Sequence, residues 1–393
     1  MKKLNKYPKE IYIFWLVEFL LGIQLIGPAL LIFFKDWGGL NQTQIQSLQS
    51  WFTLWIFLLE IPTGVFGDVA GKKKSVLLGY TLMAAGSVIY TIVPNVYLFL
   101  ISEFIFAAGV AFISGSKEAW LYDITKETKL VRRYREINAT GHSLHMAGMI
   151  VASALFGFVA PLLTVQQMFR FTVIPSTLAI ILLGFMVRST DGSKQSLKPD
   201  YIGTLKGGIK ILKDSSQLRK IAIYTGILSM TSYFVIWLYQ EALRVLSIPE
   251  NQFGTYRIVL LVAEILAIRL GAYAFRKIKF SKVLVSMSLI VGLSFILGGL
   301  LQNIVGVLLV LFFAGGLGLQ ITNLMSKETN DEICSEQRAT VLSFIGMIRR
   351  LILTVFNPLL GFLVDSKGVF FAFTILGVVS VLAILFKPKD KLI

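Results

Sequence analysis

Charge is scarce in this chain. Only 15% of its 393 residues are Asp, Glu, Lys or Arg, against about 25% in an ordinary soluble domain. Cysteine occurs once, at Cys334, which excludes an internal disulfide. The two histidines, His142 and His145, have no third ligand in register with them, so no metal is expected. No HExxH helix, nucleotide-binding loop or serine elbow occurs. The chain therefore reads as no enzyme and needs no cofactor. It also lacks a large soluble domain through which a membrane sensor would signal.

What is abundant is apolar. Hydrophobic residues make up 55%, Phe alone occurring 30 times, so the lipid bilayer is the expected solvent. Apolar windows near the roughly 20 residues needed to cross a bilayer recur along the whole chain. Twelve spans are predicted, at 10–34, 44–67, 75–93, 96–124, 137–160, 166–187, 218–242, 252–275, 282–301, 303–326, 338–364 and 368–386. Span one has no small-residue cleavage site behind it and is expected to stay attached.

The net charge of +16 raises the question of nucleic acid, and its placement answers it. Basic residues gather in alternate joins: Lys2 to Lys9, Lys72 to Lys74, Lys126 to Arg135, the central stretch, Arg276 to Lys282, and Lys387 to Lys391. The intervening joins hold only Lys35, Arg244 and Lys367. Membrane proteins collect Lys and Arg on the cytoplasmic side, so both termini are expected inside and nucleic acid is not an expected partner. A multi-pass protein of the cell membrane follows, read as a monomer.

One long polar stretch, residues 189–217, separates six spans (1–188) from six (218–393). Within it Ile202, Leu205, Ile209 and Leu212 recur at helical spacing beside lysines, as in a helix lying on a membrane surface. Gly207 and Gly208 equally suit a flexible basic linker. The halves echo each other: ASALFGFVAP (152–161) aligns with FNPLLGFLVD (356–365), and Gly64 aligns with Gly271. Parallel six-helix repeats describe a known transporter architecture.

Between spans two and three the chain reads PTGVFGDVAGKKKS. This loop resembles the signature of the major facilitator superfamily, with Gly64, Gly67, Asp68, Gly71, Lys72 and Lys73 on the pattern and Val69 departing where a basic residue is usual. The resemblance implies an all-α fold of two six-helix bundles and alternating access. It assigns Asp68 to the N-terminus of span eleven, where a helix dipole favours an anion. Gly64 and Gly67 are expected to let helices approach closely, and Gly71 to permit a tight turn. Lys72, Lys73 and Lys74 are expected to pair with Asp123 or Glu127. The signatures of drug/proton exchangers are incomplete: Ile105 stands where their span-four Arg belongs, and the span-five Gly-Pro pair is missing. EIPTG (60–64) and SGSKEAWLYD (114–123) resemble a broad group of bacterial facilitators.

Ionisable side chains at bilayer depth cost roughly 2.5–3.5 kcal/mol on insertion scales, so each calls for a partner or a cavity. The bases are Lys117, Arg170, Arg257, Arg269, Arg349 and Arg350; the acids are Glu18, Glu60, Glu103, Glu118, Asp123, Glu241 and Glu264. In FIGMIRRLILTVF (344–356), Arg350 shares a small or polar stripe with Gly346, Thr354 and Asn357, which suits either a close helix contact or an anionic substrate. Arg349 is expected to need a carboxylate, with Glu264 and Glu241 as candidates. Gln320 and Asn323 share one face of span ten; Tyr233, Trp237 and Glu241 share one of span seven. His142 and His145 suggest a hydrogen-bonded pair, with a proton relay as the alternative. Glu18 and Glu118 are the leading carboxylates for a coupling proton. The expected function is proton-coupled export of a small amphipathic compound, with uptake or exchange of an organic anion as the alternative.

Overall fold

The computed structural model describes residues 7–186, 214–331, 333 and 338–388. The polar stretch expected at 189–217 and Cys334 lie almost wholly outside them. Among the described residues the chain is helical, with no strand.

Among the described residues, ten helices are long and apolar enough to cross a membrane. In chain order they are α1 (Lys9–Trp37), α2 (Gln42–Ala70), α4 (Val96–Glu127), α5 (Val131–Val159), α6 (Val165–Gly184), α7 (Ser216–Val245), α8 (Glu250–Phe275), α9 (Phe280–Leu301), α11 (Phe344–Lys367) and α12 (Val369–Phe386). Two more helices fall on predicted spans without meeting that measure. Helix α3 (Lys72–Tyr90) opens on three lysines, and α10 (Ile304–Leu319) is short and loosened by a π turn at Val310–Gly315.

Helix starts follow capping chemistry. Asn95 accepts the Tyr97 N–H at 2.8 Å before α4, and Asn303 that of Gly306 at 3.1 Å before α10. Thr164 and Gln167 form a reciprocal capping box at α6. Helix α4 is broken at Gly115–Ser116 and restarts at Lys117.

The chain divides into two compact units, Met1–Leu40 with Leu48–Asp200, and Asn41–Ser47 with Tyr201–Ile393. In the first, α1 and α5 touch backbone to backbone. A Cβ on Gly22 would collide with the His145 carbonyl, and one on Gly148 with that of Phe19. Only a bare Cα fits such a crossing. Phe33, Tyr90, Phe99 and Phe169 pack as an aromatic cluster beside α4, with ring centroids 4.7–6.2 Å apart. In the second unit, Tyr224 donates to the Leu284 carbonyl at 2.6 Å, and Ser380 to Thr231 at 2.9 Å, tying α7 to α9 and α12.

The first turn of α2 belongs to the second unit. Its cap comes from another helix: Asp365 on α11 accepts the Gln42 N–H at 3.1 Å, the Thr43 N–H at 2.8 Å and the Thr43 hydroxyl at 2.6 Å. One turn earlier on α11, Gly361 has no Cβ to strike the Gln42 carbonyl. Replacing a capping carboxylate costs about 1 kcal/mol. Asp365→Ala is therefore expected to lower the midpoint of thermal unfolding; an unchanged midpoint would show that the cap contributes nothing.

Candidate functional site

The signature loop comes first. Gly71 has φ 102°, a conformation that side chains disfavour, and it starts α3 as expected. Gly67 meets the Ser116 hydroxyl so closely that a Cβ would collide, whereas a Cβ on Gly64 would find open space. Close packing holds for Gly67, and the Gly64 backbone itself lies against Gly115 of α4, 3.5 Å from where a Cβ on Gly115 would sit. Lys72 pairs with Asp123 at 2.7 Å. Lys73 does not join a carboxylate: its ammonium donates to the Gly184 carbonyl at 3.1 Å and to that of Met186, capping the end of α6. Lys74 is exposed. Asp68 is exposed and accepts no hydrogen bond among the described residues; positions 334–337, just before the start of span eleven, lie outside them.

A second cluster forms deep in the first unit. Glu18 on α1 is 4% exposed. Lys117 on α4 holds both its carboxylate oxygens, at 3.1 and 3.2 Å. His145 on α5 places Nδ1 3.1 Å from the Glu18 carbonyl oxygen, so Nδ1 carries a proton and Nε2 is left as an acceptor. The carboxylate lies 3.9 Å from the same nitrogen. Two local features build this triad. The Gly22–Gly148 crossing brings α1 and α5 together, and the break in α4 puts Lys117 at the head of a new helix.

Two sequence expectations fail here for the same reason, helical direction. Glu118 is exposed and its carboxylate meets no partner among the described residues, because adjacent helix positions face different ways. His142 is likewise exposed and does not bond His145, which turns to Glu18 instead.

The second unit holds a chain of amides. Asn323 donates to Gln320 at 2.7 Å, and Gln320 to the Glu264 carboxylate at 2.6 Å. Glu264 is thus engaged by Gln320 and is not the counter-ion expected for Arg349, whose guanidinium donates to Thr322 at 2.7 Å. Gln42 donates to Glu241 at 3.2 Å. Trp237 is buried, and its indole N–H reaches the Tyr233 hydroxyl at 3.4 Å. Arg350 is half-buried on α11. Arg170 spans the last turn of α3, donating to the Thr91 hydroxyl at 2.9 Å and carbonyl at 2.7 Å.

Comparison with known proteins bears on what this assembly is. The family model described as Major Facilitator Superfamily matches residues 17–355. The chain belongs to the Major Facilitator Superfamily. It is therefore a multi-pass membrane protein of a transporter family. An uncharacterised MFS-type transporter of Methanocaldococcus jannaschii is 26% identical over 129 residues, 32% of this chain, and the match spans about a third (33%) of that relative. Among solved structures, a POT family transporter in complex with a thioalcohol-conjugated peptide superposes with a TM-score of 0.74 at 16% identity, over 97% of this chain and 96% of its own. The nucleoside transporter NupG gives 0.75 at 13% identity, over 96% and 98%. At such identities the likeness concerns the fold alone.

Removing one member of a buried ion pair leaves an uncompensated charge, at a cost of about 3–5 kcal/mol when burial is complete. The Lys117 side chain is 31% exposed, so a smaller loss is expected. Lys117→Met should lower thermal stability, and adding Glu18→Gln should recover part of the loss. A double variant no more stable than Lys117→Met would show that the pair is not coupled.

Proposed function

We propose that this facilitator is a secondary active transporter of the cell membrane, working by alternating access and exporting a small amphipathic organic compound in exchange for protons. Both termini lie in the cytoplasm in this reading, and the basic joins anchor that orientation. The protein acts as a monomer.

The observation that carries the reading is the Glu18–Lys117–His145 cluster. A carboxylate this buried is stable as an anion only while its cation is beside it. When the Glu18 carboxylate takes up a proton, its attraction to Lys117 is lost and the ammonium is released toward solvent or substrate. When the proton leaves, the pair re-forms. His145 Nε2 is an acceptor next to this exchange and can pass the proton on. Such a cluster converts one proton into a change of contacts between α1, α4 and α5, which is what coupling requires. A cationic or amphipathic substrate replaces Lys117 beside Glu18 in the deprotonated state.

A second reading rests on the half-buried Arg349 and Arg350: uptake or exchange of an organic anion, recognised by guanidinium groups. The two are separated in proteoliposomes given a panel of lipophilic cations and of organic acids. Export predicts pH-gradient-driven movement of the former, lost in Glu18→Gln. Transport indifferent to the gradient would remove the coupling. Loss of organic-acid binding in Arg350→Gln would favour the second reading, and unaffected affinity would reject it.

A further inference from the structure

One buried acid takes no part in the cluster above. Glu103, in the first half of α4, is 5% exposed. Its carboxylate accepts one hydrogen bond, from the Gln49 amide on α2 at 2.9 Å, and Gln49 is itself 6% exposed. It forms no ion pair among the described residues, unlike Glu18. From α3 the facing group is the Tyr90 hydroxyl, 2% exposed and beside the Glu103 carboxylate. Among the described residues, no Lys, Arg, His or second acid bears on the site. Phe33, Phe99, Phe106 and Phe169 close around Tyr90.

The chemistry of this pocket is selective. A metal cation needs several oxygen ligands, and only Glu103 and Tyr90 offer any besides the Gln49 amide oxygen. A proton needs one acceptor and a surrounding that tolerates both outcomes. Gln49 is a fixed donor to one carboxylate oxygen. Tyr90 is amphoteric: its hydroxyl can accept from a neutral carboxylic acid or donate to a carboxylate. Turning that one hydroxyl lets the site satisfy Glu103 with or without its proton.

We propose that Glu103, held by Gln49 and gated by Tyr90, is a proton-binding site of the first unit, separate from Glu18. Its use in transport rests on the proton-coupled reading given above; its existence does not. The bound proton sits on the Glu103 oxygen that faces Tyr90. It leaves as the Glu103 O–H bond breaks and a water molecule entering the site takes the proton, while the Tyr90 hydroxyl turns from acceptor to donor.

The test is infrared spectroscopy of the purified full-length protein in lipid vesicles, titrated from acid to alkaline pH. The wild type is expected to show the carbonyl stretch of a protonated carboxylic acid, fading as pH rises. The band should persist in Glu18→Gln, vanish in Glu103→Gln, and change frequency in Tyr90→Phe. Should Glu103→Gln fail to fold, Glu103→Asp replaces it and is expected to move both the band and its titration midpoint. A spectrum unchanged by either Glu103 variant overturns the proposal. So does a Glu103 band of constant intensity across the titration, which would mark a permanently neutral structural acid. If the band titrates while transport ignores a pH gradient, the site stands and the coupled function falls.

Discussion

A charge within the thickness of a bilayer has to be matched by its neighbours, and this requirement organises the polar interior of the protein. Three solutions are visible. Glu18 and Lys117 neutralise each other across two helices. Glu103 and Glu264 are each held by the amide of a glutamine from a neighbouring helix, Gln49 and Gln320. Arg349, which keeps its charge at any accessible pH, leans on the Thr322 hydroxyl. The first sets two opposite charges directly against each other. The second meets an acid with a neutral donor.

These contacts exist because backbones come close. At Gly22 and Gly148 the α1 and α5 chains touch, which is why a ring nitrogen of His145 reaches a main-chain oxygen on α1. The break at Gly115–Ser116 does similar work on α4. A continuous helix would carry Lys117 in phase with the turns above it; restarting at Lys117 gives that residue its own heading. Gly67 lets Ser116 nest at this same break, so the signature loop and the ion pair share a foundation.

Class, helical content and the signature loop were legible from composition and from one fourteen-residue stretch, because apolar length and left-handed glycines are local properties. Gly71 and the Lys72–Asp123 pair could be read in this way. Partners drawn from other helices could not. Nothing near Gln49 marks it as the companion of Glu103, and nothing near Asp365 marks it as the cap of a helix more than three hundred residues earlier. Helix phase misled the reading at Glu118 and His142. Both sit one turn or less from residues that do face the cluster, and both point outward.

Lys73 has a mechanical consequence. By gripping the last carbonyls of α6 it welds the signature loop to the place where the chain leaves the first bundle. A lysine usually viewed as a topological marker therefore serves as a mooring. A displacement of the loop would therefore pull on the end of α6 through a single side chain, and not only through packed faces.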